Sequence, residues 1–592
     1  MLPTNRSPVM TGLNARRRLR ILYGALLLVA GILVMRAFYL QVIRHSYYAT
    51  AAMNSQLKQY EIPATRGIIE AHDGDSTVPV VLNQTLYTLF ADPVYIKDTS
   101  KASLQIASII GGNANEYNKL MQTKDTRYVV LAKKLPRDQK GRLDKLDLKG
   151  VGTRESVYRT YPEGSLAAQV LGFVNDEGSG EYGVEQALNG TLKGTPGQLK
   201  AITDAAGVPL VANKSNVIKN PVNGKTAVLS LDISMQKQLE DILKAGLENV
   251  KSKSGDAVIL DPNTGEVKAM ASWPSYNPAE YYKVKDAALF ASNSVSSPLE
   301  IGSSMKPLTA AAALNQGVVK KDTTYFDPGS FTIDQFKITN IEEDGGAGTR
   351  SLADILQLSL NTGATWLLMQ MGGGQVNQKA RETWYDYMSN HYQFGKLTGI
   401  EQGYESGGTV PDPNNGYGLN LQFANTAFGQ GVTATPLQLA AAMSSIVNGG
   451  TYYQPHLISS YKDQKGNLLA VKPKIVKAGA VKPETSQTIR ELMEYTFNKN
   501  HVLYNMPNQP PQYNIGGKTG TAQIAKPGGG YYEDRFNGTF VGFVGGNTPQ
   551  YVIVVRVNQP TVNGYAGSKA AAPIFSSLAS MLINNFNVQP KS

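Results

Sequence analysis

Three short polar motifs in this 592-residue chain hold side chains able to act as a nucleophile, a base and an anion-binding group. Ser303-Ser-Met-Lys306 sets an amine three residues after a hydroxyl. If a helix begins at Ser303, both side chains lie on one face and the lysine can take the serine proton. Pro307 is acceptable there because it falls in the first turn, and the partial positive charge of a helix N-terminus favours a neutral, basic amine. The same S-x-x-K pattern recurs at Ser55…Lys58, Ser234…Lys237 and Ser459…Lys462, where it reads as ordinary surface or helix positions, so the pattern alone means little. Two motifs that follow in order set Ser303 apart: Ser359-Leu-Asn361, and Lys518-Thr519-Gly520-Thr521. Alone, the first is a helix end with a polar cap and the second a glycine-rich turn. Together and in this order, S-x-x-K, S-x-N and K-T-G argue against coincidence and mark Ser303, with Lys306 able to take its proton, as the candidate nucleophile of an acyl transfer.

The elements that must position these groups become regular after the turn-rich break Asn220-Pro-Val-Asn-Gly224. A strand at Ala227–Leu231 precedes an amphipathic helix from Met235 to near Val250. Strands Asp256–Leu260 and Glu266–Ala271 flank Asp261-Pro-Asn-Thr-Gly265, a hairpin turn. A helix-rich and loop-rich middle follows. The end returns to strands at Gly538–Val544 and Tyr551–Val557 and closes on a helix near Ala572–Asn584. Lys518 stands in an extended stretch, Asn514–Gln523, where Gly516 and Gly517 allow another backbone or a ligand to come close. Distant strands joined in one sheet with helices packed on it predict an α/β sandwich. Residues 45–225 are mixed in texture, with alternation at Tyr87–Ala91 and a turn at Thr195–Gly197, and nothing there looks catalytic.

Composition narrows the setting. The chain has no cysteine, which excludes disulfides, thiolate zinc sites and a cysteine nucleophile. Its five histidines, His45, His72, His391, His456 and His501, have no ligand spacing, so no metal is assigned. The net charge of +11 is partly an N-terminal cluster, Arg6, Arg16, Arg17, Arg18 and Arg20, with no acidic residue before Glu61, and this argues for a membrane rather than nucleic acid. Fifteen uncharged residues, Ile21–Met35, follow the cluster and continue through Arg36 to Ile43. A helix over Ile21–Ile43 spans a bilayer if Arg36 snorkels to the outer interface beside Tyr39. The positive-inside rule then keeps the N-terminus in the cytoplasm and everything after about residue 44 outside. A cleaved signal peptide also begins this way, but no small-residue cleavage site closes the apolar run, which favours the anchor.

Beyond the triplet, the chain resembles class B penicillin-binding proteins over nearly its whole length. Leu299-Glu-Ile-Gly-Ser-Ser-Met-Lys-Pro-Leu-Thr309 is similar to that family's active-site segment, with Ile301 where proline is usual. Asp261–Ala271, Ser275–Pro278, Phe428–Gln438 and Asn448–Gly450 resemble other landmarks, and Thr65–Ile69, Tyr161–Gly164 and Tyr182–Glu185 resemble the N-terminal pedestal. Glu70-Ala-His-Asp-Gly74 departs from the usual acidic-Arg-Asn-Gly string.

The resemblance implies a transpeptidase domain at 226–592 with a central antiparallel sheet flanked by helices. Before it stand a cytoplasmic tail (1–20), a transmembrane anchor (21–43) and a mixed α/β pedestal or dimerisation-like domain (44–225). It implies that Ser303 attacks the penultimate D-alanine carbonyl of a peptidoglycan stem peptide, with Lys306 as base, directly or through Ser359, and Asn361 orienting lysine and substrate. Lys518, Thr519, Gly520 and Thr521 would receive the substrate carboxylate, and β-lactams with it, while the Ser303 and Thr521 N–H groups form the oxyanion hole. No cofactor is implied. A polytopic membrane glycosyltransferase of the shape, elongation, division and sporulation type is the implied partner, in a division or elongation complex. Gln393–Ile400 and Tyr404–Gly408 resemble the division branch. A D,D-carboxypeptidase, a β-lactamase and a non-catalytic sensor or scaffold are the alternatives; the long tethered pedestal and the intact triplet favour a cross-linking enzyme.

Overall fold

A computed structural model describes residues 12–48, 57–202, 217–340, 346–463, 465–504, 510–526, 528–562 and 564–592. Arg6 and Ser55 lie outside them. Compactness divides the chain into two units, Met1–Thr65 with Gly194–Asn223, and Arg66–Lys193 with Gly224–Ser592.

In the first unit, helix Gly12–Phe38 passes into one π turn, Tyr39–Ile43. The helix starts before Ile21, so Arg17, Arg18 and Arg20 continue it on the N-terminal side of the apolar run. Arg17–Ile43 is long and apolar enough to cross a membrane, and it alone is so among the described residues. At its C-terminal end Arg36 lies 5.7 Å from the Tyr39 ring, and Arg44 Nε donates to Tyr39 OH at 3.0 Å, clustering cations and a phenol where an interface belongs. The unit also holds a three-stranded antiparallel sheet, Gly197–Ile202 between Leu57–Ile62 and Val217–Lys219.

The second unit contains two large sheets. One has seven strands, running Leu468–Ala470, Ile458–Lys462, Thr226–Asp232, Ile69–Asp73, Ser76–Ala91 and Val129–Leu135, with Val151–Thr160 also on Ser76–Ala91. Its neighbours are antiparallel except Thr226–Asp232 beside Ile69–Asp73, where Ala227 faces Ile69. Ile69, Val81, Leu229 and Leu231 enter the same buried cluster as Met305 and Leu308, so the core beneath this sheet is continuous with the core around the serine motif.

The unusual string Glu70-Ala-His-Asp-Gly74 is a strand followed by a turn with Gly74 at φ +60°. Two of the spare S-x-x-K motifs anchor it. Ser234 Oγ donates to Asp73 Oδ1 at 3.0 Å, Ser459 Oγ lies 3.2 Å from His72 Nε2, and Lys462 pairs with Glu70. Ser459 and Lys462 sit in a strand, where residues three apart point to opposite faces, so they do not form a nucleophile–base pair. Nearby, buried Glu185 accepts from Arg66 Nε at 2.8 Å and from Arg159 Nε at 2.8 Å.

The other sheet has five antiparallel strands in the order Val267–Trp273, Ser254–Leu260, Pro549–Asn558, Tyr531–Gly545 and Asn514–Ala525. The Asp261–Gly265 turn joins the first two, as its residue types predict. Alternate residues enter different cores: Ala257, Ile259, Phe540 and Val555 pack towards Ala572–Asn585 and Ile233–Asn249, while Val258, Leu260, Val541 and Val554 pack towards Lys306–Asn315 and Pro436–Val447. Covering both faces explains why these strands read as continuous apolar runs.

Candidate active site

The serine motif lies where a helix begins against the edge strand of the five-stranded sheet. Leu299–Glu300 pairs with Thr433–Ala434, Gly302 turns the chain at φ +54°, and a 3₁₀ turn, Gly302–Met305, runs into helix Lys306–Asn315. Pro307 occupies the first turn of that helix. The helix is buried from Lys306 through Ala313, so the lysine is enclosed where the helix begins. Ser303 is partly exposed while Gly302, Ser304, Met305 and Lys306 are buried, leaving the hydroxyl as the accessible group of the motif.

Glycines allow this approach. A Cβ on Gly302 would stand 2.7 Å from the Thr521 carbonyl oxygen, and one on Gly520 would meet Ser304 Oγ and the Ile301 carbonyl, both at 2.6 Å. Gly302 N–H donates to Gly429 O at 3.1 Å. Gly520, expected on the substrate side, is thus buried against the serine turn. Gly516 and Gly517 make room for the rings of Phe543 and Phe540, and the Val541 carbonyl of the adjacent strand would also stand 3.3 Å from a Cβ on Gly517.

Lys306 Nζ is the hub. It lies 2.9 Å from Ser303 Oγ, 3.0 Å from Ser359 Oγ and 2.9 Å from Asn361 Oδ1, and it also donates to the Ser359 carbonyl. Two of these four oxygens, the Ser359 carbonyl and Asn361 Oδ1, are acceptors only. A neutral amine that donates its two N–H groups to them keeps its lone pair for a hydroxyl proton.

Ser359 has φ +59°, a left-handed conformation uncommon for a residue with a side chain. It follows helix Leu352–Gln357, capped reciprocally by Ser351 and Asp354, and precedes helix Asn361–Met371. In this tight joint both its carbonyl and its hydroxyl reach Lys306. Its hydroxyl also accepts from Lys518 Nζ at 2.9 Å, so Ser359 Oγ bridges two buried lysines. Asn361 Nδ2 donates to the Thr339 carbonyl at 3.2 Å, which turns the amide oxygen to Lys306.

On strand Asn514–Ala525, Lys518 and Gly520 face inward while Thr519 and Thr521 are half-exposed, the two-residue period of a strand. Lys518 Nζ lies 3.3 Å from Thr519 Oγ1, and Thr521 Oγ1 accepts from Gly567 N–H at 3.0 Å. The structure therefore gathers Ser303, Lys306, Ser359, Asn361 and Lys518 into one hydrogen-bonded chain, with Thr519 beside it and Thr521 on the same strand.

A feature that sequence reasoning missed is a clasp beside the nucleophile. Glu300 Oε1 accepts from Gly431 N–H at 2.9 Å and from Tyr531 OH at 2.8 Å. Burial, and then the bond to Glu300, push the Tyr531 phenol above its usual range, so its proton remains available for donation. This ties the Tyr531–Gly545 strand to the serine segment. The position of Glu300, three residues before Ser303, was the available signal; the distant tyrosine had none.

The family described as "Penicillin binding protein transpeptidase domain" matches residues 255–580, more than half of the chain, and "Penicillin-binding Protein dimerisation domain" matches residues 61–229. The chain is 29% identical to Stage V sporulation protein D of Bacillus subtilis across 98% of this chain and 88% of that protein. It is 25% identical to peptidoglycan D,D-transpeptidase FtsI of Escherichia coli K12, covering 97% and 92%. Among solved structures, penicillin-binding protein 3 of Mycobacterium tuberculosis complexed with aztreonam superposes with a TM-score of 0.67 at 25% identity, covering 90% of this chain and 98% of that one.

Proposed function

The chain belongs to the penicillin-binding protein transpeptidase family, and on that premise we propose that it cross-links peptidoglycan as a serine D,D-transpeptidase with Ser303 as nucleophile. The observation that carries this reading is Lys306 Nζ held 2.9 Å from Ser303 Oγ while acceptor-only oxygens take its N–H groups. Ser303 Oγ attacks the penultimate D-alanine carbonyl of a donor stem peptide as its proton passes to Lys306. Ser359 Oγ, bonded to both lysines, carries a proton on to the leaving D-alanine nitrogen. The C–N bond breaks and an ester to Ser303 remains. The amine of a second stem peptide then displaces Ser303 Oγ, forming the cross-link and returning the proton to the serine. Lys518 with Thr519 receives the donor carboxylate, and a carboxylate-bearing β-lactam enters the same way. The N–H groups of Ser303 and Thr521 stabilise the oxyanion, at about 3 kcal/mol per donor.

On this reading the catalytic part lies outside the cell membrane, a topology supported by Arg17, Arg18 and Arg20 at the N-terminal end of the apolar helix, the side the positive-inside rule assigns to the cytoplasm. Glycan polymerisation comes from a polytopic glycosyltransferase that meets the exposed helix and residues 44–225, with residues 226–592 as the transpeptidase part. The resemblance of Gln393–Ile400 and Tyr404–Gly408 to the division branch supports work at the septum. A second reading, cross-linking during sporulation, is favoured by the full-length match to Stage V sporulation protein D.

The test is covalent labelling of membranes by a fluorescent penicillin. Label should disappear in Ser303→Ala and persist in Ser55→Ala and Ser234→Ala. A wild-type protein left unlabelled beside a labelled control would defeat the catalytic reading. Amide formation between two stem peptides, rather than hydrolysis, separates a cross-linker from a carboxypeptidase.

A further inference from the structure

Five residues stand opposite one another in a single row across the five-stranded sheet: Ser272, Asp256, Arg556, Thr539 and Gly520. Opposed residues of antiparallel strands share a face, and two-residue alternation puts this row on the face of Val258, Val541 and Val554, the one that meets helices Lys306–Asn315 and Pro436–Val447. Asp256 and Arg556 are each the one charged residue of a strand that is otherwise uncharged, and both are buried, at 0% and 2% exposure.

The polar atoms of the row bond to one stretch of chain, the segment that leads into the serine turn. Ser272 Oγ accepts from Asn293 N–H at 3.1 Å, and Asp256 Oδ1 accepts from Ser294 Oγ at 3.2 Å. Arg556 donates through Nη1 to the Ser297 carbonyl at 2.7 Å and through Nη2 to the Asn293 carbonyl at 3.2 Å. Thr539 Oγ1 lies 3.1 Å from Ser304 Oγ, and the missing side chain of Gly520 admits Ser304 Oγ and the Ile301 carbonyl. Residues 293–304 are thus laid across the strands along the row, which at four strand spacings is about 19 Å long. The row ends at the residue after the nucleophile.

Arg556 and Asp256 form the middle of this line. Arg556 Nε donates to Asp256 Oδ2 at 2.6 Å, while the other two nitrogens of the guanidinium hold the carbonyl of the first residue of the short helix Asn293–Ser296 and that of its C-cap, Ser297. A planar fork fixes all three acceptors at once, which an ammonium does not. From Ser297 the chain reaches Ser303 through Pro298, the Leu299–Glu300 strand and the Ile301–Gly302 turn, with no loop to absorb a shift. A buried ion pair adds little stability over an apolar pair of the same volume, so what this one contributes is geometry.

We propose that Asp256 and Arg556 are positioning residues for the nucleophile. Neither touches Ser303; together they set where the segment that carries it crosses the sheet, and so how Ser303 Oγ meets a bound carbonyl. The proposal rests on the acylating role of Ser303 given above.

The test uses the full-length protein in detergent with fluorescent penicillin in stopped flow, which separates the reversible dissociation constant, the acylation rate constant and the fraction of protein labelled. Asp256→Ala/Arg556→Met removes both charges together, so that no unpaired ion is left buried. Its acylation rate constant should fall about tenfold or more, the effect of a reacting group misplaced by up to about 1 Å, while the dissociation constant, set at Lys518 and Thr519, stays within about twofold. Glu185→Gln is the control for lost stability, because the bonds of Glu185 go to Arg66 and Arg159 and none to residues 293–304. It should lower the melting temperature and leave the acylation rate constant within about twofold. Arg556→Lys keeps a cation beside Asp256 but loses the fork, and should slow acylation about threefold or more. This variant decides the matter if the double variant does not fold. An acylation rate constant within about twofold of wild type in the folded double variant or in Arg556→Lys would overturn the proposal. So would a smaller labelled fraction at an unchanged rate constant, which would make the pair a support of the fold alone, or an equal slowing in Glu185→Gln. A wild type that forms no acyl-enzyme would defeat the reading of Ser303 itself, and the proposal with it.

Discussion

Replacing Gly302 by alanine tests how closely the serine turn and the Lys518 strand must fit. The backbone there is left-handed, φ +54°, and a side chain in that conformation costs about 1–2 kcal/mol. The new Cβ would stand 2.7 Å from the Thr521 carbonyl oxygen, which must retreat by roughly 0.7 Å to reach ordinary contact at 3.4 Å. Thr521 N–H belongs to the proposed oxyanion hole, and displacements approaching 1 Å at a reacting centre cost about 10²-fold in rate. Acylation of Gly302→Ala should therefore fall about 10- to 100-fold, read as the second-order rate constant of fluorescent penicillin labelling in stopped flow. Gly317→Ala is the control: its φ is +72°, but no atom lies within 4 Å of the added Cβ, so it carries backbone strain without the clash. It should lower the melting temperature and leave acylation within twofold. A folded Gly302→Ala protein that acylates as fast as wild type would refute the argument that this contact sets the site geometry.

Lys306→Ala should lower acylation by about 10²- to 10⁴-fold, the usual range for loss of a positioned base, and an unchanged rate in the same assay would transfer that role elsewhere. Glu185→Gln leaves Arg66 and Arg159 without their buried carboxylate, and a loss of about 3–5 kcal/mol should appear in denaturant unfolding. Burial raises the Glu240 carboxyl above 4.5 despite hydrogen bonds from Gln236 and the Ala167 N–H. A raised folded value means that its stabilising contribution is present below the unfolded value and lost as pH rises through the folded one. Glu240→Gln should thus melt higher than wild type at pH about 7.5, and this gain should vanish near pH 4. A gain that does not vary with pH would contradict the assignment.

What could be read from the sequence was local. Ser303 and Lys306 share one turn, and Lys518 to Thr521 one strand, so spacing alone brought each motif together. The Asp261–Gly265 hairpin was visible for the same reason. Ser359 could not be read: its left-handed backbone comes from the tight joint between two helices, and no glycine marks it. Nor could the meaning of Gly520, whose missing side chain serves Ser304 and Ile301, more than two hundred residues away. Thr226–Asp232 was recognisable as a strand, but its parallel neighbour Ile69–Asp73 was not, because pairing across such a separation depends on the whole fold.

That parallel pair has a mechanical consequence. Segments joined only by a linker swing independently by default, whereas strands bonded side by side over a shared core do not. Ile69 and Val81 therefore share one packed core with the body around Ser303, whereas Leu89 and Ala91, farther along the same long strand as Val81, enter a separate one. A load applied near Val81 passes to Met305 through side chains already in contact within one core, so whatever grips that part of the strand also pulls on the serine turn.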